Sequence, residues 1–443
     1  MKRKRATKPR SRDKARRWLR LAGAYLATVT VLGIASWVRP FNIFERDRWP
    51  LEYWVEKQAF AFAERRVETA FSPDIVLILG DGEGENGTFG KPGIGWRRHH
   101  ARLIRALAGA GARLVAFDLF FDDASDADAD LADAVSTAVS AGTEIVVGTR
   151  LFLPDEDGKE PNRPAALAKA FAGRWAMLSS GVEPRGTRHV DRIRLAQPLI
   201  EDPSGRARIL EVPVMPSLPL AVAARVVGPG TKALYLPGAQ RVQLRDGLNR
   251  TVKSIPVDGS LHMFIKFADA EALRTAEQPY HEVLERVADT AELRRKFNGK
   301  IVLVGYRVKE DLFTARGDVE LYGVQIQASA ISNILQGIYV RILSWKWRFL
   351  LIVLMALAGV VIRLRFGKLL KLSMPLSRIP IPLPQIDINL PVSLVGVAIA
   401  YLALVVFPAY KYWNLVLDFT YAVVALFAAH WVIGYALEKE ASQ

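Results

Sequence analysis

Carboxylates are the first side chains in this sequence whose type and spacing suggest chemistry. Asp81 follows the apolar run Asp74-Ile-Val-Leu-Ile-Leu79, and Asp118 lies in a second run, Leu114-Val-Ala-Phe-Asp-Leu-Phe-Phe121. If the two runs are neighbouring strands of a parallel sheet, both carboxylates point toward the crevice where such folds bind ligands. Asp81 and Asp118 are therefore ligand-binding candidates. Asp122, Asp123, Asp126, Asp128 and Asp130 come next. Oxygen ligands this dense could hold calcium or magnesium, which makes Asp122, Asp126 and Asp128 candidate ligands of a divalent cation, the one cofactor left open. The run lacks the sixth-position glycine and the final glutamate of an EF-hand loop. The favoured reading is plainer: Asp126 caps the next helix and its neighbours complement the helix dipole. Arg97 and Arg98, with His99 and His100, open the helix after the first loop. These four either meet an anionic ligand or pair with the acidic cluster; the plain alternative, and the favoured one, is a solvated helix start.

Other catalytic arrangements are missing. There is no cysteine, hence no disulfide framework, thiolate zinc site or cysteine nucleophile. The six histidines include no H-E-x-x-H spacing, and no G-x-S-x-G elbow occurs. Ser11-Arg-Asp-Lys14 has the S-x-x-K spacing but sits in a polybasic tail. Gly82-Glu-Gly-Glu-Asn-Gly87 fits G-x-G-x-x-G after a strand. A dinucleotide loop opens straight into a helix, however. Here the next helix starts near Trp96, and Asp81, Glu83 and Glu85 would repel phosphate. Gly90-Lys91 does not complete a P-loop, because position 85 is glutamate. No enzymatic activity is expected.

The elements that must position these residues read as an open sheet. Residues 42–70 form an amphipathic helical lead-in, with Trp54, Phe60, Phe62 and Val67 on one side. The strand ending near Leu79 is followed by a helix over Trp96–Gly109, a strand over Leu114–Phe121, a helix over Ala127–Ala141 and a strand over Glu144–Gly148. This β-α-β-α-β order predicts a mostly parallel sheet flanked by helices. The middle, 150–295, is less regular: Trp175–Ser179 and His262–Phe267 read as strands, Pro219–Val227 and Tyr280–Phe297 as helices. Lys300–Gly305 is a further strand, and Gly323–Gly337 a helix leading into an apolar run.

The net charge of +15 first suggests a nucleic-acid binder, but its distribution argues otherwise. Lys2–Arg20 alone carries +10, followed by the uncharged eighteen-residue run Leu21–Val38. Three more apolar runs lie near the other end: Phe349–Ile362, short for a span but preceded by Trp345-Lys-Trp-Arg348, then Leu390–Tyr410, then Leu415–Leu437 with Asp418 and His430 inside it. Four transmembrane helices follow from length and interfacial tryptophan. An uncleaved first anchor is preferred over a signal peptide. The positive-inside rule puts the basic tail and the +4 segment after the second span in the cytoplasm, and about residues 39–344 outside. The extended, apolar Ile379-Pro-Ile-Pro-Leu-Pro-Gln-Ile-Asp-Ile-Asn-Leu-Pro391 cannot be helical. Its Ile381, Leu383, Ile386 and Ile388 are candidates for docking a partner, with a membrane-hugging strap as the alternative.

The chain resembles the second type of CHASE domain, an extracellular sensory domain found with cyclases and histidine kinases. The likeness is carried in order by Ile75-Val-Leu-Ile-Leu79, Gly95-Trp-Arg-Arg98 and a following helix, Gly111-Ala-Arg-Leu-Val-Ala-Phe-Asp-Leu-Phe-Phe121, Pro216-Ser-Leu-Pro-Leu-Ala-Val-Ala-Ala-Arg225, Ile255-Pro-Val-Asp-Gly259, Gly299-Lys-Ile-Val-Leu-Val-Gly305 and Tyr322-Gly-Val-Gln-Ile-Gln-Ala328. Gln325 and Gln327 stand where the family commonly has an acidic and a histidine-like polar residue, and the loop after the first strand is longer and richer in glycine. Family members usually carry an output domain after the last span; this chain stops six residues after Leu437. The resemblance therefore implies a sensory or ligand-binding module without its own catalytic output.

The expected organisation is a cytoplasmic tail (1–20), a first span (21–38), an extracytoplasmic α/β sensory domain (39–344), a second span (345–363), a cytoplasmic proline-rich loop (364–389), spans at 390–410 and 415–437, and a cytoplasmic tail (438–443). The expected setting is a bacterial cytoplasmic membrane with the large domain in the periplasm. Expected partners are a small extracytoplasmic ligand or an envelope protein, membrane lipids, a separate cytoplasmic or membrane output protein and a second copy in a homodimer, with no nucleic acid. The alternatives are a scaffold subunit of an envelope complex and, behind it, a metal-dependent hydrolase using Asp81 and Asp118.

Overall fold

The computed structural model describes residues 11–38, 71–81, 93–121, 124–149, 165–178, 189–190, 192–198, 212–258, 261–315, 319–366, 371–375, 387–413, 415–417 and 419–441. The chain divides into two compact units, Glu64–Arg341 and Met1–Ala63 with Ile342–Gln443. The expected lead-in helix at 42–70 lies outside the described residues.

The first unit is built on a six-stranded parallel sheet of β1 (Ile75–Asp81), β2 (Leu114–Phe120), β3 (Glu144–Thr149), β4 (Trp175–Met177), β5 (Glu277–Pro279) and β6 (Ile301–Arg307). The order across the sheet is β5-β1-β6-β2-β3-β4. Both faces are covered, so the strands read as continuous apolar runs rather than alternating ones. The two-residue period still sorts them. Ile75, Leu77, Leu79, Leu114, Ala116, Ile301 and Leu303 enter one core. Ile78, Val115, Phe117, Val302 and Val304 enter the other.

The helices follow the same division. α1 (Arg97–Gly109) buries Arg97, His100, Ala101, Leu103, Ile104 and Leu107, one stripe at helical spacing. It packs beside α2 (Asp128–Ser140), which buries Leu131, Ala134, Val135 and Ala138. On the opposite face lie α3 (Leu218–Val227) and α4 (Gly323–Gln336). In α4 every residue from Val324 to Ile334 is buried. Gly337 ends α4 in a left-handed conformation (φ 71°), letting the Ile338 amide reach the Asn333 carbonyl at 2.9 Å.

Three readings are corrected. The expected helix over Tyr280–Phe297 is two helices, Tyr280–Glu285 and Thr290–Phe297. Asp289 breaks it by accepting a hydrogen bond from the Glu292 amide at 2.9 Å and capping the second piece. The expected strands at 175–179 and 262–267 are only Trp175–Met177 and His262–Phe264. The supposedly irregular middle also holds a second, five-stranded sheet of strands within 196–256, whose Val214, Tyr235, Val242, Leu244 and Ile255 join the core shared with α4.

The second unit contains helices Ser11–Val38, Trp345–Phe366 and Phe419–Ala441, and a helix from Val392 to Trp413 with a π-turn at Leu402–Val406. Pro408, lacking an N–H and crowding the carbonyl four residues back, accounts for the widened turn. Among the described residues three helices are long and apolar enough to cross a membrane: Lys346–Arg365, Ser393–Tyr410 and Tyr421–Glu438. The fourth expected span is helical, but its apolar part, Trp18–Ile34, is shorter. The run Phe349–Ile362 that looked short is lengthened at both ends. Ile381, Leu383 and Ile386 lie outside the described residues. Ile388 sits in a hairpin, paired with Met374.

Candidate functional site

Three strand ends and the starts of α1 and α4 frame a cavity of about 620 Å³. β2 pairs with β6 only as far as Phe117, and its register with β3 slips between Phe117 and Phe120. Asp118 and Leu119 therefore leave the ladder, the kind of irregularity that re-aims side chains beside sites. The cavity walls carry the polar residues Arg97, His100, Asp118, Tyr306, Asp311 and Gln327 among apolar ones.

Asp118 and Asp311 are the chemical centre. Burial pushes the Asp118 carboxyl up to about 8, and the charge of Asp311 adds to the effect. Burial lifts Asp311 to about 6, opposed by the hydrogen bond it accepts from the Gly323 amide at 3.1 Å. Two carboxyls in one low-dielectric space titrate as a pair, which keeps about one proton near neutral pH. Asp311 also meets the positive end of the α4 dipole.

A second network ties α4 to the strand ends. The Glu277 carboxylate of β5 accepts hydrogen bonds from Arg307 of β6 and, at 2.6 Å, from Gln325 Nε2. Gln325 Oε1 in turn accepts from the Tyr322 amide at 2.8 Å, half of a capping box.

On the other face His100 is buried, with Nδ1 2.8 Å from the Tyr280 hydroxyl and Nε2 3.0 Å from that of Tyr306. Burial, then the charges of His99 and Arg97, hold it down to about 3. The imidazole is neutral, so one nitrogen donates to one phenol while the other accepts from its partner. Burial raises both tyrosines, and the Trp96 ring packs 5.0 Å from Tyr280 and 5.4 Å from Tyr306.

The sequence candidates fall as follows. β6 lies between β1 and β2, so Asp81 and Asp118 are not on neighbouring strands; two strand spacings, about 9.5 Å, separate their backbones. Asp81 is exposed, 3.7 Å from Arg307, and is not part of the cavity wall. Arg97 does line the cavity, but its charge is met by Asp128 in a buried ion pair, with the guanidinium 5.9 Å from the Phe121 ring centre. Arg98 pairs with Asp126 at 2.7 Å on the surface. Asp126 does not cap the helix: the N-cap position is Ala127, which makes no side-chain cap hydrogen bond, while Asp128 accepts the Ser125 amide at 2.9 Å and Ser125 Oγ the Ala127 amide at 3.2 Å in the turn before it. Asp122 lies outside the described residues. Among those described, no three His, Asp or Glu side chains converge to hold a metal.

Sequence reasoning missed Asp311 and Tyr306, and it favoured a solvated helix start for His100, which is buried. Applying the strand-end rule to β6 would have pointed to Tyr306 and the residues just beyond it. His100 had a signal too, since it falls in register with Leu103, Ile104 and Leu107 on the buried stripe of α1.

A parallel α/β unit with a strand-end cavity, in a chain that also carries helices able to cross a membrane, has the build of a membrane-borne domain. The chain belongs to the CHASE2 domain family, whose family model matches residues 28–361. This is a family of extracellular sensory domains, not of catalytic ones. No curated protein and no solved structure matches the chain.

Proposed function

We propose that this protein is a membrane-anchored sensor whose α/β domain faces out of the cytoplasm and binds a small ligand in the cavity around Asp118 and Asp311. The reading includes four spans, both termini inside, a bacterial cytoplasmic membrane and a separate partner that receives the signal. The observation that carries it is the position of Asp311, which lines the cavity and at the same time holds the first amide of α4. A ligand that competes for this carboxylate changes the N-terminal hold on α4. Beyond α4 the sequence runs into the helix Trp345–Phe366. Such a ligand shifts the equilibrium only by the difference of its affinities for the two positions of α4.

The test is thermal unfolding of the full chain in lipid nanodiscs against a small-molecule collection. A ligand that binds the folded state raises the midpoint. Compounds that raise it are expected to lose their effect in Asp118→Asn, and to change amide exchange at the start of α4. If no compound moves the midpoint, the sensor reading fails and a scaffold that binds protein takes its place.

A further inference from the structure

We propose that the cavity takes an organic monocation, a primary ammonium or guanidinium on a small apolar body, with its charge met by Asp118 and Asp311. The proposal rests on reading this cavity as the sensory site, and it names the ligand class.

The charges around the cavity are unequal. Asp118, Glu310 and Asp311 line it. Arg97, the one cation among the described residues of the wall, is in an ion pair with Asp128. His100 is neutral, with both ring nitrogens held by phenols. Among the described residues neither Asp118 nor Asp311 forms an ion pair with a lysine or arginine; the charge acting on Asp118 is that of Asp311, and Asp311 has only the Gly323 amide. Two half-buried carboxyls with no cation paired to them among the described residues keep a proton instead, and a cationic ligand is what that proton stands in for.

The remaining wall fits an organic cation better than a bare metal ion. Phe120, Phe121, Phe313 and Tyr306 line the same space, and aromatic rings attract ammonium and guanidinium groups while packing against their apolar stems. At about 620 Å³ the cavity is in the range of small-molecule sites. A divalent ion would want at least three converging oxygen or nitrogen side chains, a grouping not found among the described residues.

Proton linkage gives the proposal a signature. A monocation favours the ionised pair, so binding releases protons and tightens as pH rises. With Asp118 titrating near 8, affinity should be up to about fiftyfold higher at pH 8 than at pH 6. Glu310, Arg97, His100 and Tyr306 face the same space. His100, held near 3, carries no charge over this window.

The experiment is calorimetry and thermal unfolding of the full chain in nanodiscs with four probes: a series from methylammonium to benzylammonium, benzyl alcohol, benzoate and calcium. The expected result is binding of an ammonium with proton release near pH 7, seen as a buffer-dependent heat, and loss of at least tenfold in affinity in Asp118→Asn and Asp311→Asn. If a variant misfolds, the proton release and the pH dependence of the unaltered protein still decide. Ammonium binding that is equal at pH 6 and pH 8, or no binding by any member of the series, overturns the proposal. So does calcium binding lost in Asp118→Asn, which replaces the organic cation with a metal. Benzoate or benzyl alcohol binding that is blocked by the cavity-filling Leu119→Trp rejects the cation but keeps the sensory cavity. Failure of every probe and of the wider collection rejects both.

Discussion

Asp118 is held in the folded protein at a cost that pH reveals. Its carboxyl titrates near 8 in the fold and near the ordinary carboxylate value when unfolded. Below about pH 4 both states are protonated and nothing is lost. Between about 4 and 8 the unfolded chain gives up the proton and the folded one keeps it, so stability falls as pH rises. Asp311 adds to this between about 4 and 6. The unliganded midpoint should therefore drop by several degrees or more from pH 5 to pH 8. Asp118→Asn should flatten the slope and raise the midpoint at pH 8; an unchanged slope would place the titration elsewhere. Arg97 and Asp128 give a second test. They form a buried pair, and removing one partner strands a charge, which typically costs 3–5 kcal/mol. Arg97→Met should cost about that much in denaturant unfolding, and Arg97→Met with Asp128→Leu should recover most of it. Additive losses in the double variant would mean the pair is not coupled. Asp258, in Ile255-Pro-Val-Asp-Gly259, has a structural role. It accepts from the His262 amide at 2.9 Å and from Arg192 at 2.8 Å, pinning a turn. Burial would raise its pKa, but the bonds from His262 and the charge of Arg192 bring it below the usual range.

α4 is the element on which the site depends, and its seat is set by small residues. A Cβ on Gly305 would lie 2.7 Å from Val324 Cβ, closer than real side chains approach. Gly305→Ala must push the first turn of α4 off β6. Overpacking of this kind costs about 1–3 kcal/mol, and here it also moves the Gly323 amide away from Asp311. The expected outcome is a lower midpoint together with weakened ligand-induced shifts. A lower midpoint with binding intact would separate the seat of α4 from the site. Much of this architecture was legible. Strands β1, β2, β3 and β6 announce themselves as short apolar runs; α1 and α2 fall between the first three and α4 follows β6, each with the right period. The insertion of β6 between β1 and β2 was not legible, because sheet order depends on which faces the later helices cover, and no local residue states it. That is why Asp81 and Asp118 looked like neighbours and Asp311 went unseen. The slip that frees Asp118 from the ladder is likewise a matter of pairing, invisible in one strand's sequence. The second sheet was hidden by its short strands within 196–256, each too brief to show a period.

The whole chain reduces the opening charge surplus to a question of sides. Lys2–Arg20 carries +10, and Arg363 and Arg365 in the last turn of the helix Trp345–Phe366, with Lys368, Lys371 and Arg378 beyond it, stand against Asp387. Under the positive-inside rule the proposed topology has both stretches in the cytoplasm. That is consistent only if the helix Ser11–Val38 also crosses, since otherwise the tail shares a side with the α/β unit. Its apolar part, Trp18–Ile34, is short by composition. Arg16, Arg17 and Arg20 can snorkel from its basic end. The absence of cysteine makes the test direct. Single substitutions Ser11→Cys, Leu248→Cys, Ser377→Cys and Ser442→Cys report on tail, domain, loop and end. With a membrane-impermeant maleimide on intact spheroplasts, only Leu248→Cys should react; the other three should need permeabilisation. If Ser11→Cys and Leu248→Cys react together, the first helix does not cross and the chain has three spans. If Ser377→Cys reacts on intact spheroplasts and Leu248→Cys does not, the charge rule has been read backwards and the cavity faces the cytoplasm.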